Sequence, residues 1–488
     1  MKAFTPYRLR AGAVLLVQAL ASGAGLWIPA LPVQAQSKVA QDAFGTRSPS
    51  GSVPSIPAKV AAELVPLDIV PEPMPAATRN VLMPVSREAV QGAPALTLRQ
   101  VLEAAAASYP MLVAARTEVR AAAQDVQAAE RLRWPSLSAT IESDSGNLRS
   151  YPTQAIQAEV TIWDAGRNTA RIHDAQVAAD ISLLKVYLQQ QDVFLQIASA
   201  WQSMNSARER LAVAEQTLLR LKNYQAQMRR RVQAEASPAI DLELVDSRLL
   251  QTEVERSTAQ SSLQTALRRL EQLSGLEGLA AQPDAPIYTS GLQEANAFER
   301  FVAQADWEQL ARTHPQVAKA RLEVTQAKHR VASKKAEAFP QVFARLYKPL
   351  NSLPTNSDTS PTAFIGLRYT PGAGFANVVE TQALSTRLLS TEQGVEASYR
   401  ETLQTFQSER EEFANARTRL VSLEQSVKGA EKVLDSYQRQ FQAGRKTWLD
   451  LLNAVRELGQ SQYASAEAKA TLAAAMVRLQ IRLGKDPQ

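Results

Sequence analysis

Residues 441–453 read Phe-Gln-Ala-Gly-Arg-Lys-Thr-Trp-Leu-Asp-Leu-Leu-Asn, and in this stretch one long helical pattern ends and a shorter one begins. Gly444 is expected to end the first helix, because glycine tolerates the positive φ of a helix C-terminus. Thr447 and Asp450 have the spacing of an approximate capping box, and an acid in a first turn favours the free N–H groups there. The stretch therefore predicts the tip of a helical hairpin.

Upstream of this tip, apolar residues alternate at spacings of three and four, which is typical of the a/d seam of a left-handed coiled coil. The seam comprises Phe413, Ala416, Leu420, Leu423, Val427, Ala430, Leu434, Tyr437 and Phe441. The same register occurs earlier in the chain, as Met204, Ala207, Leu211, Ala214, Leu218, Leu221, Gln225, Met228 and Val232. The proline-free run from Gly166 to Val232 predicts a helix on the order of 100 Å long.

The recurrence of the seam belongs to an internal repeat whose offset drifts from 205 to 209 residues. The aligned pairs include Glu103 with Glu308, Pro110 with Pro315, Pro135 with Pro340, Gly166 with Gly374, and Asp241 with Asp450. We predict two homologous halves, residues 96–273 and 304–485, joined by a linker at 274–303.

Each half follows the same plan. A first helix, expected over about Leu98–Arg133 or Ala305–Ala338, ends at an aromatic–proline pair, because proline disfavours helix in the residue before it. Two segments with apolar–polar alternation follow, in residues 136–163 and 340–371, and their loops at 143–152 and 349–361 are rich in turn residues. After the long helix and its tip, a shorter helix returns, starting at Trp448 in the second half. In the first half it starts at Pro238, with Ser237 as the expected cap.

The N-terminal region differs from the rest of the chain. Residues 1–35 have the basic start, the apolar region and the small-residue cleavage site of a secretory signal peptide. Residues 36–95 hold nine prolines and no sustained period, so we predict a disordered arm. Removal of the signal, which has three basic residues and no acid, lowers the net charge from +6 to +3, too weak to indicate a nucleic-acid partner. We predict an exported protein without a helical membrane anchor.

Patterns of enzymatic chemistry are missing from the sequence. There is no cysteine, and His173, His314 and His329 stand isolated without ligand spacing, which argues against a metal site or a general base. The segment 372–374 has two glycines after a strand but lacks the third glycine of a dinucleotide site, and no serine lies in a nucleophile elbow. We predict no enzymatic activity, no cofactor and no metal.

The four alternating segments allow two interpretations. In an exported protein, strands with one apolar and one polar face fit a membrane barrel with lipid outside and water inside. Four strands cannot close alone, since the smallest such barrels need about eight. Either several chains share one barrel or the strands form a soluble sheet, and their identical placement at one end of both long helices favours the shared barrel.

The order of several motifs resembles the TolC family of bacterial outer-membrane channel proteins. The resemblance covers roughly Leu96 to Lys485 and is carried by Leu96-Thr97-Leu98-Arg99-Gln100-Val101-Leu102, Tyr109-Pro110, Trp134-Pro135-Ser136-Leu137, Trp163-Asp164-Ala165-Gly166-Arg167 and the tip at 441–452. It implies a mainly α fold with a small membrane β-barrel contribution: a homotrimer with four strands per chain and a periplasmic tunnel of long antiparallel coiled-coil helices. It also implies a passive exit duct in a Gram-negative outer membrane. A periplasmic adaptor and an inner-membrane transporter would recruit this duct for type I protein secretion or efflux.

Members of this family close the tunnel entrance at the helical tips. Carried over by position, the acid of the first-half tip falls on Asp241, the basic residue on Lys446 and the first acidic ring on Asp450. The chain departs from the family at Phe441, where an aromatic hydroxyl is expected, and at Asn453, where a second acidic ring is expected. Asp241 and Asp450 are also explained as acids that favour a first helical turn.

A rival interpretation is a non-transporting periplasmic coiled-coil scaffold or adaptor. An adaptor needs an inner-membrane anchor and a β-rich central region, and the sequence predicts neither.

Overall fold

The computed structural model of the chain describes residues 97–142, 153–279, 292–350, 360–370 and 372–484. The predicted signal peptide, the predicted arm at 36–95, the loop at 143–152 and most of the loop at 349–361 lie outside these residues. Among the helices in the described ranges, none is both long enough and apolar enough to cross a bilayer.

The two halves have matching elements. The first half contains α1 (Leu98–Ser108), α2 (Pro110–Glu130), β1 (Ser136–Glu142), β2 (Thr153–Trp163), α3 (Arg167–Gln233) and α4 (Ala239–Ser274). The second half contains α5 (Leu292–Gln304), α6 (Trp307–Thr313), α7 (Pro315–Ala336), β3 (Gln341–Pro349), β4 (Thr362–Arg368), α8 (Ala376–Gln442) and α9 (Trp448–Arg482).

The first helix of each half is broken, so the prediction of one continuous helix was wrong. Tyr109 precedes Pro110 and is extended, with φ −66° and ψ 123°. His314 precedes Pro315 and is extended as well, with φ −63° and ψ 141°. In both cases the proline ring clashes with an α conformation of the residue before it. Each proline then starts a new helix, where its missing N–H costs nothing.

The segment predicted as a linker, 274–303, contains most of helix α5. Ala295 and Val302 of this helix are buried against α8 and α9. Phe298 lies edge-to-face on Phe413 of α8, with ring centroids 5.5 Å apart. The connection between the halves therefore packs onto the second half.

The two long helices, α3 and α8, have 67 residues each and are about 100 Å long. Along one side of α3 lie α2 and α4, and along its other side lie α7 and α9, which also pack on α8. Most of the predicted seam positions face these neighbours and are buried: Met204, Ala207, Ala214, Leu218, Leu221 and Met228 in α3, and Phe413, Ala416, Leu420 and Leu434 in α8. The helices thus form a layer with α2 and α4 at one edge and α8 at the other.

The four strands form one antiparallel sheet in the order β1-β2-β3-β4. The pairing of β2 with β3 joins the two halves, with Glu159 opposite Arg345. One face carries the apolar residues predicted from the alternation, and several of these are largely exposed: Leu137, Ile141, Ile365 and Leu367 at 62–76%. Among the residues that the structure describes, neither β1 nor β4 pairs with a second strand. The sheet is therefore open at both edges and uncovered on its apolar face.

Candidate functional site

The two helical tips end in the same turn. After α8, Arg445 N–H donates to Gln440 O at 2.8 Å and Gly444 N–H donates to Phe441 O at 3.1 Å. After α3, the N–H groups of Ala236 and Glu235 make the equivalent bonds. This pair of bonds is the Schellman motif, which needs a residue with positive φ. Gly444 provides it with φ +69°, whereas Glu235 adopts +55° without being glycine.

The predicted capping box at the second tip is confirmed. Asp450 N–H donates to Thr447 Oγ1 and Thr447 N–H donates to Asp450 Oδ2, both at 3.2 Å. The Thr447 hydroxyl also donates to Asp450 Oδ2 at 2.8 Å. The bonds from the Thr447 hydroxyl and backbone N–H, followed by the charge of Lys446, hold the pKa of the Asp450 carboxyl below its ordinary value. Asp450 therefore stays ionised at neutral pH.

The start of α4 differs from its prediction. Pro238 itself occupies the N-cap position, with φ −63° and ψ 148°, and no side chain caps the helix. The expected cap by Ser237 was wrong, because the extended Pro238 places the first helical residue at Ala239. The acid in this first turn is Asp241.

Trp448 joins the two tips. It is 5% exposed, and its indole Nε1–H donates to the backbone oxygen of Asp241 at 2.9 Å. Its ring lies edge-to-face on Tyr224, with centroids 5.9 Å apart, and also contacts Phe441 at 5.3 Å. A side chain at the start of α9 thus fixes the first turn of α4 and the last turns of α3 and α8.

Phe441, where the family pattern expects a hydroxyl, has a different partner. The guanidinium carbon of Arg231, in the last turn of α3, lies 4.9 Å from the centroid of the Phe441 ring. Such a cation–π contact is worth about 0.5–1 kcal/mol at an exposed site. The second tip therefore contacts the first through a ring face.

Lys446 contacts groups of its own tip. Its Nζ lies 3.8 Å from Asp450 Oδ2 and 4.4 Å from the centroid of the Tyr437 ring. Asp241, the acid that the family pattern assigns to the first tip, is half-buried. Its backbone oxygen connects it to the second tip. Asn453 is half-buried one turn after Asp450, on the same side of α9.

Three tip residues were missed by the sequence analysis: Tyr224, Arg231 and Trp448. Trp448 left a signal, since the repeat places Ala239 at the equivalent position of the first half. A large aromatic residue in one half, at a position where the other half has alanine, indicates a contact that only one of the two halves makes. Arg231 left no comparable signal, because Arg229 and Arg230 precede it.

A groove of about 580 Å³ lies above the tips between α3, α8 and α9. The buried side chains of Tyr224, Leu434 and Leu458 lie along it. Its walls carry charges of both signs, namely Arg220, Arg230, Glu431 and Asp435.

The histidines are less isolated than the sequence suggested. The rings of His173 in α3 and His329 in α7 lie 5.2 Å apart. In the described part of the chain, no cluster of three or more His, Cys, Asp or Glu residues has a geometry that fits a metal ion.

Comparison with solved structures identifies the fold. VceC from Vibrio cholerae superposes with a TM-score of 0.67 at 18% identity, covering 80% of this chain and 96% of VceC. The CmeC channel from Campylobacter jejuni gives 0.64 at 14% identity, with 79% and 85% covered. The open state of the Neisseria gonorrhoeae MtrE channel gives 0.63 at 14% identity, with 80% and 89% covered. These similarities show a shared fold.

Comparison of the sequence identifies the family. No relative was found among curated protein sequences. The pattern of the outer membrane efflux protein family matches residues 101–276 and 307–485, which is most of the chain and includes both tips. The predicted mainly α fold with two repeats and the predicted outer-membrane location agree with this match. The chain belongs to the outer membrane efflux protein family.

Proposed function

We propose that three copies of this chain form a passive exit duct of a tripartite export system, for type I protein secretion or efflux. The observation that carries the proposal is the open four-stranded sheet. No described residue covers its apolar face or pairs with its two edge strands, and it lies at one end of helices about 100 Å long. Three such sheets supply twelve strands, enough to close a barrel with the apolar face toward lipid.

The edges of the helical layer support the same assembly. On α8, the first residue of the helix that is buried is Thr402, and Val378, Val379 and Leu389 before it are 62–67% exposed. On α4, Leu250 and Val254 are 67% and 66% exposed. Two different apolar edges on one chain fit head-to-tail contacts, which form a closed ring when the rotation permits.

The duct works with a periplasmic adaptor and an inner-membrane transporter. The groove between α3, α8 and α9 supports this part of the proposal, because it lies near the tips and is lined by charged side chains of both signs. Its walls of mixed charge favour a partner helix with charges of both signs on its flanks.

The tips form the gate. Asp450 and Asn453 line the constriction, and Asp241, Lys446 and Phe441 hold the closed arrangement. The contacts described above support this assignment, because each of these residues lies at a tip and the two tips of one chain are joined through Trp448 and Phe441.

Fractionation of cells that express the full chain tests the duct. We expect a heat-modifiable trimer band from the purified outer membrane, and copurification of an adaptor and an inner-membrane transporter after mild crosslinking. Recovery only from the soluble periplasmic fraction would favour the scaffold interpretation and contradict the duct. A trimer that inserts in the membrane but captures neither partner would contradict the tripartite assignment alone.

A further inference from the structure

The polar face of the sheet carries a cluster of charged and aromatic side chains at its helical end. We call it the arginine–aromatic cluster, and it consists of Glu159, Phe343, Arg345, Phe364, Gly366 and Arg368. The register places Glu159 opposite Arg345, Arg345 opposite Phe364, and Phe343 opposite Gly366. All six positions therefore share the face opposite the apolar one.

One carboxylate holds two guanidinium groups. Arg345 donates through Nε and Nη2 to Glu159 Oε2, at 2.9 and 2.5 Å. Arg368 reaches both oxygens, with Nη2 3.0 Å from Oε2 and Nη1 3.0 Å from Oε1. A guanidinium has five N–H donors on three nitrogens, and Glu159 engages two nitrogens of each. The cluster keeps one net positive charge per chain.

Aromatic rings hold the arginines against the sheet. The guanidinium carbons of Arg368 and Arg345 lie 4.5 and 5.1 Å from the centroid of Phe343. Arg345 also lies 5.4 Å from the centroid of Phe364. The Phe343 ring covers Gly366, where an added Cβ would stand 2.5 Å from Phe343 Cζ. The glycine therefore leaves room for the ring, and the ring and the arginines form one ordered surface.

The nearest acidic position of the same parity on β1 lies at the other end of the sheet. Glu142 pairs with Thr153 at the far end of the sheet, whereas Glu159 pairs with Ser136 at the helical end. Six residues of strand separate the two positions by about 20 Å. This exceeds the Debye length of about 8 Å at physiological ionic strength, so the two ends act separately.

We propose that the arginine–aromatic cluster is a binding site for aromatic anions on the inner wall of the duct, an inference that rests on the exit duct proposed above. Three copies place six guanidinium groups and three carboxylates on one level of the lumen. Carboxylates and sulfonates accept hydrogen bonds from the guanidinium N–H groups that Glu159 does not engage. An aromatic cargo stacks on the arginines and on Phe364, whose ring is exposed, whereas Phe343 is buried beneath them. Modest affinity suits a duct, because the cargo must leave as well as enter.

Block of single-channel current tests the site. The wild-type trimer is placed in a planar bilayer. A naphthalene trisulfonate is added to the chamber on the barrel side, opposite the helical tips. We expect Arg345→Gln and Arg368→Gln each to raise the half-blocking concentration about tenfold, the effect of one lost charge-assisted contact. Glu159→Gln removes the acid of the cluster and is expected to lower the half-blocking concentration. Citrate, an anion without an aromatic ring, is expected to block more weakly.

Lys348→Gln is the matched control. Lys348 lies on β3 close to Arg345 but pairs with Ile156 on the apolar face, so the same charge is removed on the other side of the sheet. We expect its half-blocking concentration to equal that of the wild type. Half-blocking concentrations in both arginine variants that equal the wild-type value would overturn the site. So would a change in Lys348→Gln as large as the change in the arginine variants. A folding defect cannot explain opposite shifts in Glu159→Gln and Arg368→Gln.

The same experiment separates the two proposals. Wild-type protein that forms no conducting pores would overturn the exit duct and this site with it. Pores of normal conductance whose block ignores every substitution in the cluster would overturn only the site.

Discussion

At the tips, single side chains decide how firmly the two hairpins hold together. The Trp448 indole reaches the backbone oxygen of Asp241 from the first turn of the opposite helix, and its ring contacts both Tyr224 and Phe441. This indole N–H lies seven residues after Phe441, the position at which the family resemblance leads us to expect an aromatic hydroxyl.

We predict that Trp448→Phe loosens the tip without unfolding it. The substitution keeps an aromatic ring against Tyr224 but removes one hydrogen bond, worth about 1 kcal/mol. Amide hydrogen exchange in residues 441–453 is expected to become about fivefold faster. Trp307→Phe, the same change at a site on α6, is expected to leave the exchange of the tip unaltered. Unchanged exchange in Trp448→Phe would show that packing alone joins the tips.

Asp450 caps α9, and substitution separates this role from its proposed role in the constriction. Asp450→Ala is expected to weaken the block of the channel by multivalent cations, because a ring of carboxylates is lost from the constriction. Asp306→Ala removes an acid that caps α6 through Gln309 N–H at 3.0 Å, and it is expected to leave the block unchanged. An unaltered block in Asp450→Ala would mean that Asp450 only caps its helix.

The pH dependence of this block follows from the lowered pKa of Asp450. A carboxyl whose pKa is depressed in the folded state stays ionised down to a pH below its ordinary value. The block by cations is therefore expected to persist through mildly acidic pH. It should be lost only as the pH falls through that depressed pKa.

At the scale of elements, the two tips are the same turn built from different residues. Glu235 and Gly444 occupy equivalent positions, both with positive φ. A residue other than glycine in this region carries a cost of about 1–2 kcal/mol. The first tip is therefore strained where the second is relaxed.

We predict that Glu235→Gly stabilises the protein and that Gly444→Ala destabilises it, each by about 1 kcal/mol. Thermal unfolding followed by circular dichroism measures both changes. Gly429→Ala is the control, since an added Cβ meets nothing within 4 Å at either Gly444 or Gly429. Gly429 lies inside a helix, where alanine is favoured by about 1 kcal/mol. We expect Gly444→Ala to lower the unfolding temperature and Gly429→Ala to raise it. Equal shifts would contradict the inference that a residue other than glycine is strained at the tip.

His314 makes the α6–α7 junction sensitive to pH. It is 7% exposed, lies edge-to-face on Phe406 at 5.5 Å, and accepts a hydrogen bond from Gln316 N–H at Nδ1. Burial, with a contribution from the Arg482 charge, lowers its pKa from 6.5 to about 4. The folded state therefore binds fewer protons than the unfolded state between these values.

We predict that stability falls as the pH drops from 6.5 toward 4, because the unfolded state gains the proton first. The loss approaches about 3 kcal/mol at the lower end. His314→Asn keeps a capping side chain but does not titrate. Its unfolding temperature is expected to lie below that of the wild type at about pH 8, with the gap narrowing at about pH 5. A constant gap would contradict the role of His314.

The elements also show what the sequence could and could not predict. The heptad seam, the repeat and the alternating segments follow directly from residue spacing, so both long helices and all four strands were predicted within a few residues. The breaks at Tyr109 and His314 were missed, although each precedes a proline, because the apolar periodicity continues across them. At the tip, the capping box is local and was predicted. The contact between Trp448 and Asp241 spans 207 residues, and no local pattern encodes it.

At the scale of the whole molecule, the helical layer and the sheet each have two different edges, and a single chain cannot pair one edge with the other. One edge of the helical layer is formed by α2 and α4, the other by α8, and both expose apolar side chains. The sheet has two unpaired edges above them. An open edge invites pairing with another chain. In the proposed trimer, β4 pairs with β1 of a second copy, and α8 lies beside the α2 and α4 of that copy.

The orientation of α4 makes this assembly testable. Val245 and Thr252 are buried on one side of α4, and Val245 packs in one cluster with Leu221 and Met228 of α3. At 100° per residue, Leu250 and Val254 lie on the opposite side of the helix and point away from α3. They are 67% and 66% exposed in the single chain. In the proposed trimer they face α8 of the neighbouring copy.

We predict that the double substitution Leu250→Glu and Val254→Glu prevents trimer formation. Each side chain gives up about 1.5–3 kcal/mol of apolar burial, and the new carboxylates must be desolvated at all three contacts. The heat-modifiable trimer band from outer membranes is expected to disappear. Leu219→Glu is the control, since Leu219 is 64% exposed but lies on α3, which has neighbours on both sides. A trimer that survives the double substitution would place the contact between copies elsewhere on the layer.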